Sequence, residues 1–135
     1  MSVHYKKGNY RLWTWPVDNA VVIAKGDFLY NSSGKAVKMT NANQNLTFIG
    51  VAYSAHDGDG AGEVSVYMPL PETEFEITLN TASTIKVGDN LAWSADQVVA
   101  ASDTDAIFRV TEAGTTVSKA LCAPKLPVHL IGDLS

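Results

Sequence analysis

Thr73-Glu74-Phe75-Glu76-Ile77-Thr78-Leu79 alternates polar and apolar side chains with a period of two. Successive side chains of an extended chain point to opposite faces. Phe75, Ile77 and Leu79 therefore line one face of a strand, and Glu74, Glu76 and Thr78 the other. Glu72 extends the polar set. Same-face neighbours lie roughly 6–7 Å apart, so Glu72, Glu74 and Glu76 make a self-repelling ladder that calls for cations. The ladder reads either as a solvated face or as an intersubunit acidic face that meets lysines or arginines of another chain.

Similar runs lie on both sides of this strand. Short segments rich in Val, Ile, Thr and aromatic residues fall at 10–15, 20–24, 27–31, 46–52, 63–68, 73–79, 90–93, 105–112 and 116–123. Ser33-Gly34, Gly58-Asp59-Gly60, Gly88-Asp89 and Ala113-Gly114 supply turn chemistry between them. No window carries a helical stripe, although 99–107 has room for a short helix. The pattern predicts an all-β, barrel-like domain of short antiparallel strands. At 135 residues the chain suits one compact domain that needs no staples. The expected layout is an extended N-terminal arm or first strand over 1–17, a β domain over 18–124 and a C-terminal tail over 125–135.

An internal echo divides the domain. Ile23-Ala24-Lys25-Gly26-Asp27-Phe28-Leu29 and Ile85-Lys86-Val87-Gly88-Asp89-Asn90-Leu91 both read Ile-x-x-Gly-Asp-x-Leu, 62 residues apart. Each is followed by a turn and an apolar pair, Ala36-Val37 and Val98-Val99. Phe48-Ile49-Gly50-Val51-Ala52 and, more loosely, Ile107-Phe108-Arg109-Val110-Thr111 come next. Gly permits a backbone conformation that other residues resist, and Asp fixes the turn through nearby amides. Two related β units are expected.

Charge is unevenly spread. The formal net charge is −4, yet residues 1–17 hold Lys6, Lys7 and Arg11 and no acid. Seven basic and fourteen acidic residues lie beyond them. The acidic body argues against general nucleic-acid binding. Tyr5, Tyr10, Trp13 and Trp15 interleave with the cations, and Trp13, Trp15 and Arg11 share a face by period two. Tyr, Trp and Arg are the favoured anchors of protein interfaces. Tyr5, Lys6, Lys7, Tyr10, Arg11, Trp13 and Trp15 are therefore the candidate partner-binding residues. The competing readings are core packing and, for the Trp pair, stacking on a sugar, which makes a carbohydrate-binding module the alternative function.

Catalytic chemistry finds no foothold in the sequence. His56-Asp57-Gly58-Asp59-Gly60-Ala61-Gly62-Glu63 offers acids to a cation, but Glu63 arrives too early for a helix-loop-helix calcium site and strands flank the segment. A mobile hairpin tip is the expected reading. His4, His56 and His129 are far apart, and no Gly-x-Ser-x-Gly elbow or phosphate-cradling loop occurs. Glu74 and Glu76 lie side by side on one flat face and do not flank a substrate bond. Cys122 sits in apolar sequence, reads as a small buried hydrophobe and suits a reducing compartment of synthesis. No enzyme activity, cofactor, metal or membrane span is expected, and nothing resembles a secretory signal.

The order of motifs resembles a family. Gly26-Asp27, Ile49-Gly50-Val51-Ala52, Ala61-Gly62-Glu63-Val64-Ser65-Val66, a Glu/Thr strand and Val87-Gly88-Asp89-Asn90-Leu91-Ala92-Trp93 follow the sequence of the β-tulip type of decoration (cement) proteins of tailed-phage heads. The resemblance runs from about Gly26 to Val110. Met68-Pro69-Leu70-Pro71 stands where that family carries a glycine, and Arg109 where a glycine would mirror Gly50. The resemblance implies a homotrimer made in the host cytoplasm and placed on the outer capsid surface of the virion. It also implies the major capsid protein as partner, whose subunits it would bridge.

Overall fold

Phe75 and Ile77 are buried while Glu74 and Glu76 are half-buried, as the alternation demands. The computed structural model describes residues 3–70, 72–78, 87–94, 98–101, 106–113 and 119–124. Thirteen strands and one 3-10 turn lie among them, in the order β1 (Val3–Lys7), β2 (Leu12–Val17), β3 (Val22–Ile23), β4 (Phe28–Ser32), β5 (Lys35–Lys38), the turn (Ala42–Thr47), β6 (Phe48–Ala52), β7 (His56–Asp57), β8 (Gly62–Tyr67), β9 (Glu74–Thr78), β10 (Asn90–Ser94), β11 (Val98–Ala101), β12 (Phe108–Ala113) and β13 (Lys119–Pro124). The all-β expectation holds. Residues 3–7, 35–38, 56–57 and 98–101 are strands that the hydrophobic pattern did not mark, and Leu46 sits exposed in the 3-10 turn rather than in a strand. Leu79, residues 102–105, the Gly114 turn and the tail 125–135 lie outside the described residues.

Two sheets carry the fold. One has six strands in the order β1-β9-β13-β12-β10-β11, the other five in the order β2-β8-β6-β4-β5, and β3-β7 is a small ribbon. Every pairing among the described residues is antiparallel.

The internal echo is a complete structural repeat. Gly26 donates its N–H to Ala52 O at 2.9 Å, and Ala52 returns its N–H to Asp27 O at 2.9 Å. Gly88 and Val110 do the same at 2.8 Å, with Val110 returning to Asp89 O at 2.9 Å. Both glycines have positive φ, +88° and +93°. The strand registers then coincide. Leu29 faces Gly50 as Leu91 faces Phe108. Ala52 faces Val66 as Val110 faces Cys122. Trp13, Thr14, Trp15 and Pro16 face Val66, Ser65, Val64 and Glu63, as Phe75, Glu76, Ile77 and Thr78 face Cys122, Leu121, Ala120 and Lys119. Unit one is thus β2-β8-β6-β4-β5, and unit two is β9-β13-β12-β10-β11 with β1 added outside. The register corrects one sequence equivalence: Phe108, not Arg109, is the counterpart of Gly50.

The units stack face to back. β4 and β6 are buried on both sides. Leu29, Ile49 and Ala52 face a core with Val17, Ile23, Ala36, Val64 and Val66 inside unit one. Phe28, Phe48 and Val51 face the other way, into a core with Phe75, Ile77, Leu91, Phe108, Val110 and Cys122 of unit two. Phe108 lies 5.5 Å from Phe28 and 5.7 Å from Phe48, centroid to centroid. Inner face of unit two therefore covers outer face of unit one. Each fully buried Phe or Leu contributes roughly 1.5–3 kcal/mol. At Gly50, φ is +134° and any Cβ would overlap the Tyr67 carbonyl oxygen, so β6 approaches β8 only through glycine.

Candidate functional site: a tyrosine cleft at the rim of the two units

Where the two units meet, four tyrosines and Phe75 collect. Tyr67 ends β8 on the side of Val51, its register partner, and so faces unit two. Tyr5 on β1 faces Phe75 across β9. The Tyr5 and Tyr67 rings stack at 5.7 Å with 14° between planes. Tyr10 meets Tyr5 at 5.0 Å and Tyr67 at 5.5 Å edge-on. Tyr53, just past β6, meets Tyr67 at 5.4 Å, and Phe75 closes the inner side of Tyr67 at 5.2 Å. Edge-to-face pairs of this kind add about 0.5–1.5 kcal/mol beyond area burial.

The loop that carries Tyr10 and Arg11 is held down. Tyr5 donates its hydroxyl to Gly8 O at 2.5 Å, Thr73 donates to Asn9 O at 2.6 Å, and the Met68 N–H donates to Arg11 O at 2.9 Å. Thr73 is fully buried in making its bond. Gly8 turns with φ +92° hard against the Glu72 carbonyl. Tyr10 stays 47% exposed and Tyr53 45%, both large apolar bodies at the surface.

A cleft of about 480 Å³ opens beside this cluster, walled by Tyr5, Tyr53, Tyr67 and Lys25 over a floor of Val51 and Ala52. Three of its main-chain donors are spent: Gly26 N–H on Ala52 O, Ala52 N–H on Asp27 O, and Tyr53 N–H on Ser65 O at 2.9 Å. Burial, and then the neighbouring Tyr10, Tyr53 and Tyr5, push the Tyr67 phenol above its usual range, so it remains a hydroxyl donor at any neutral pH.

The sequence candidates divide on this frame. Tyr5 and Tyr10 belong to the cluster, and Lys6, Lys7 and Arg11 are exposed on the same strand and loop. Trp13 and Trp15 do not join them. They are half-buried against the core of unit one, 5.3 Å apart, and Trp13 donates Nε1–H to Ile49 O at 3.2 Å. The acidic ladder is answered within the chain: Lys6 Nζ is 3.8 Å from Glu76, and Lys7 is the register partner of Glu74. The pair is partly exposed and contributes about 0–1 kcal/mol. Glu72 is exposed in the turn before β9.

At the other end, Asp57 Oδ1 accepts the Asp59 N–H at 2.9 Å, and Gly60 N–H bonds Asn19 Oδ1 at 2.9 Å. The hairpin tip is held by the Asp57 and Asn19 side chains, and among the described residues no three His, Cys, Asp or Glu side chains converge. Cys122 is buried, and desolvation pushes its thiol up to about 12.

Sequence reasoning missed Lys25, Tyr53 and Tyr67. Tyr67 had a signal: it follows Val64 and Val66 at the outward parity of Glu63 and Ser65, an odd place for a ring. Tyr53 and Lys25 had none, because each becomes a wall only through the Gly26–Ala52 bond.

No protein family matches the sequence, and no curated protein does. Among solved structures, the head fiber gp8.5 N base of bacteriophage phi29 is similar in fold. It is 18% identical, with a TM-score of 0.57, over 85% of this chain and 95% of that one.

Proposed function

We propose that this protein is a non-enzymatic structural component of a phage particle, seated on the outside of the head, where it braces neighbouring shell subunits. The observation that supports this most is the fold likeness to the head fiber base, which spans 95% of that chain and is not confined to one motif. The decoration-protein order of motifs between Gly26 and Val110 supports the same reading independently.

The docking surface in this proposal is the tyrosine rim, with Tyr5 and Tyr10 as anchors and Lys6, Lys7 and Arg11 as steering charges. Aromatic anchors supply most of the affinity of such surfaces, and rim charges act on encounter and register. Trp13 and Trp15 are half-buried against the core of unit one, which favours core packing over sugar stacking for that pair. A homotrimer is part of the proposal, as closed symmetric assemblies place identical rims on a symmetric shell.

The test mixes purified protein with undecorated, expanded phage heads and measures bound protein by co-sedimentation. Saturation at a fixed ratio to shell subunits is expected. The Tyr10→Ala/Arg11→Ala variant should weaken binding by roughly 30-fold or more, an anchor's share. Deleting residues 1–12 is not a clean test, because β1 is a strand of the six-stranded sheet. Absence of any saturable binding to heads sinks the proposal.

A further inference from the structure

We infer that the cleft walled by Tyr5, Tyr53, Tyr67 and Lys25 seats an extended, proline-containing acidic segment of a partner protein. The inference rests on reading the tyrosine rim as a docking surface and specifies what that surface takes.

Three observations carry it. The first is that Lys25 and Tyr53 are not packing requirements of the fold, whereas Tyr67 also packs on Phe75 of unit two. The repeat places Val87, Thr111 and Ala123 of unit two where unit one has Lys25, Tyr53 and Tyr67. The same scaffold closes without a lysine or a tyrosine at any of the three. All three departures nevertheless converge on one spot, and two of them, Lys25 and Tyr53, are exposed.

The second is the state of the backbone. A peptide that joins a sheet edge needs unpaired main-chain donors and acceptors. Here Gly26, Ala52 and Tyr53 have already given their N–H groups to Ala52, Asp27 and Ser65, and Val51 is paired with Tyr67. Recognition therefore falls mainly to rings and to the Tyr53 and Tyr67 hydroxyls, since Tyr5 gives its own to Gly8 O. A polyproline II segment asks for that: it has no internal hydrogen bonds, shows bare carbonyls to hydroxyl donors, and packs prolyl rings on aromatic faces at low entropy cost.

The third is charge. Among the described residues Lys25 is the cation of the walls and no carboxylate or amide side chain lines them, and Lys6, Lys7 and Arg11 flank the tyrosines in sequence. This favours acidic residues next to the prolines. It also disfavours a neutral sugar, whose paired hydroxyls are held by carboxylates, amides or arginine forks.

The experiment titrates the full chain with a synthetic peptide of two Glu-Pro-Pro-Pro repeats, its Lys-Pro-Pro-Pro counterpart and a Gly-Ser peptide of equal length. Binding is read from tyrosine ring NMR signals. The acidic peptide should bind with Kd below roughly 1 mM, and the other two at least about tenfold more weakly. Tyr53→Ala should abolish binding, Tyr53→Phe should keep part of it, and Lys25→Glu should reverse the preference between the acidic and basic peptides. Circular dichroism checks that the variants stay folded, which the exposure of both side chains favours.

Absence of binding by the acidic peptide, or binding indifferent to Tyr53→Ala, overturns the inference, as does saturable binding of an acidic oligosaccharide such as oligogalacturonate at the same tyrosines. Heads are measured separately. Head attachment that is lost in Tyr53→Ala, when the parent chain binds no acidic peptide, sinks this inference and spares the proposed function. Peptide binding without head attachment does the reverse.

Discussion

Phe28 and Val51 of unit one correspond to Asn90 and Arg109 of unit two. The scaffold is the same at both places: a glycine at positive φ, an aspartate, a strand, and a partner strand returned through identical hydrogen bonds. The burial is opposite. Phe28 and Val51 are buried against unit two, Val51 at the floor of the tyrosine cleft, whereas Arg109 is exposed and Asn90 half-exposed. A repeat that stacks must be apolar on both faces until the last unit, whose outer face meets water. Unit two is that cap at Asn90 and Arg109, although Ala123, the register partner of Arg109, is itself buried. Backbone geometry was therefore retained through the Gly-Asp turns while side chains diverged according to which face is covered.

Exchanging those side chains should break the comparison most severely. Val51→Arg places a cation in a site 2% exposed, with Phe28, Phe48 and Phe108 around it. An unpaired buried charge should cost roughly 4 kcal/mol or more, a large part of the 5–15 kcal/mol typical of a domain. Urea denaturation should show a much lower midpoint or no folded baseline. A parental midpoint would mean that unit two does not cover this face.

Gly50 and Phe108 form the next pair. Phe108 has no positive φ, so unit two carries a full ring where unit one carries nothing. Gly50→Ala adds one methyl at φ +134°, against the Tyr67 carbonyl. We expect a loss of about 2–4 kcal/mol, from backbone strain and from β6 moving off β8. Thermal melts should show it. Because the shift acts on Tyr67, the tyrosine ring signals should change in the same variant.

Much of this was legible in the sequence and some was not, for identifiable reasons. Period-two alternation marked β9, and Gly26-Asp27 with Gly88-Asp89 marked both units, because burial and turn chemistry leave local traces. Strands β1 and β5 were not marked, since their lysines give no alternation. They form because β9 offers an edge to β1 and β4 a hairpin partner to β5. Lysines on such edges are also what deters pairing with foreign strands. The Trp13 and Trp15 parity was read correctly, yet parity alone does not say which side is inside, and the bond to Ile49 O decides it. The tyrosine cleft joins β1, β6, β8 and a turn, which only tertiary structure brings together.

Cys122 tests a gentler correspondence, since its counterpart is Val66. Cys122→Val should change stability by about 1 kcal/mol or less at pH 7, because size and polarity are nearly conserved. Alkali should separate the two proteins. The folded thiol titrates at about 12, above its ordinary value. Below roughly pH 8.5 both folded and unfolded chains keep the proton, and the contribution is whole. As pH rises from there towards 12, the unfolded chain releases its proton and the folded chain does not, so stability falls. The variant lacks this part of the alkaline loss, and Tyr67, shifted in the same direction, leaves a remainder in both. Equal slopes above pH 9 would place the thiol in contact with water.

The smallest expected effect is the reciprocal of the largest. Arg109→Val gives unit two the residue that unit one has, at an exposed position on an outer face. No buried charge is made and no packing is lost, so the folded monomer should keep its stability within about 0.5 kcal/mol. The contrast with Val51→Arg is informative because the two variants exchange the same pair of side chains at matching register. Their difference in unfolding free energy measures coverage of the face and nothing intrinsic to Arg or Val. Light scattering adds a second reading. If the outer face of unit two meets another copy in a trimer, removing its cation should shift the assembly midpoint or its salt dependence while the unfolding midpoint stays put. If light scattering and salt dependence are unchanged, the outer face is a true end of the stack, and any trimer closes through another surface.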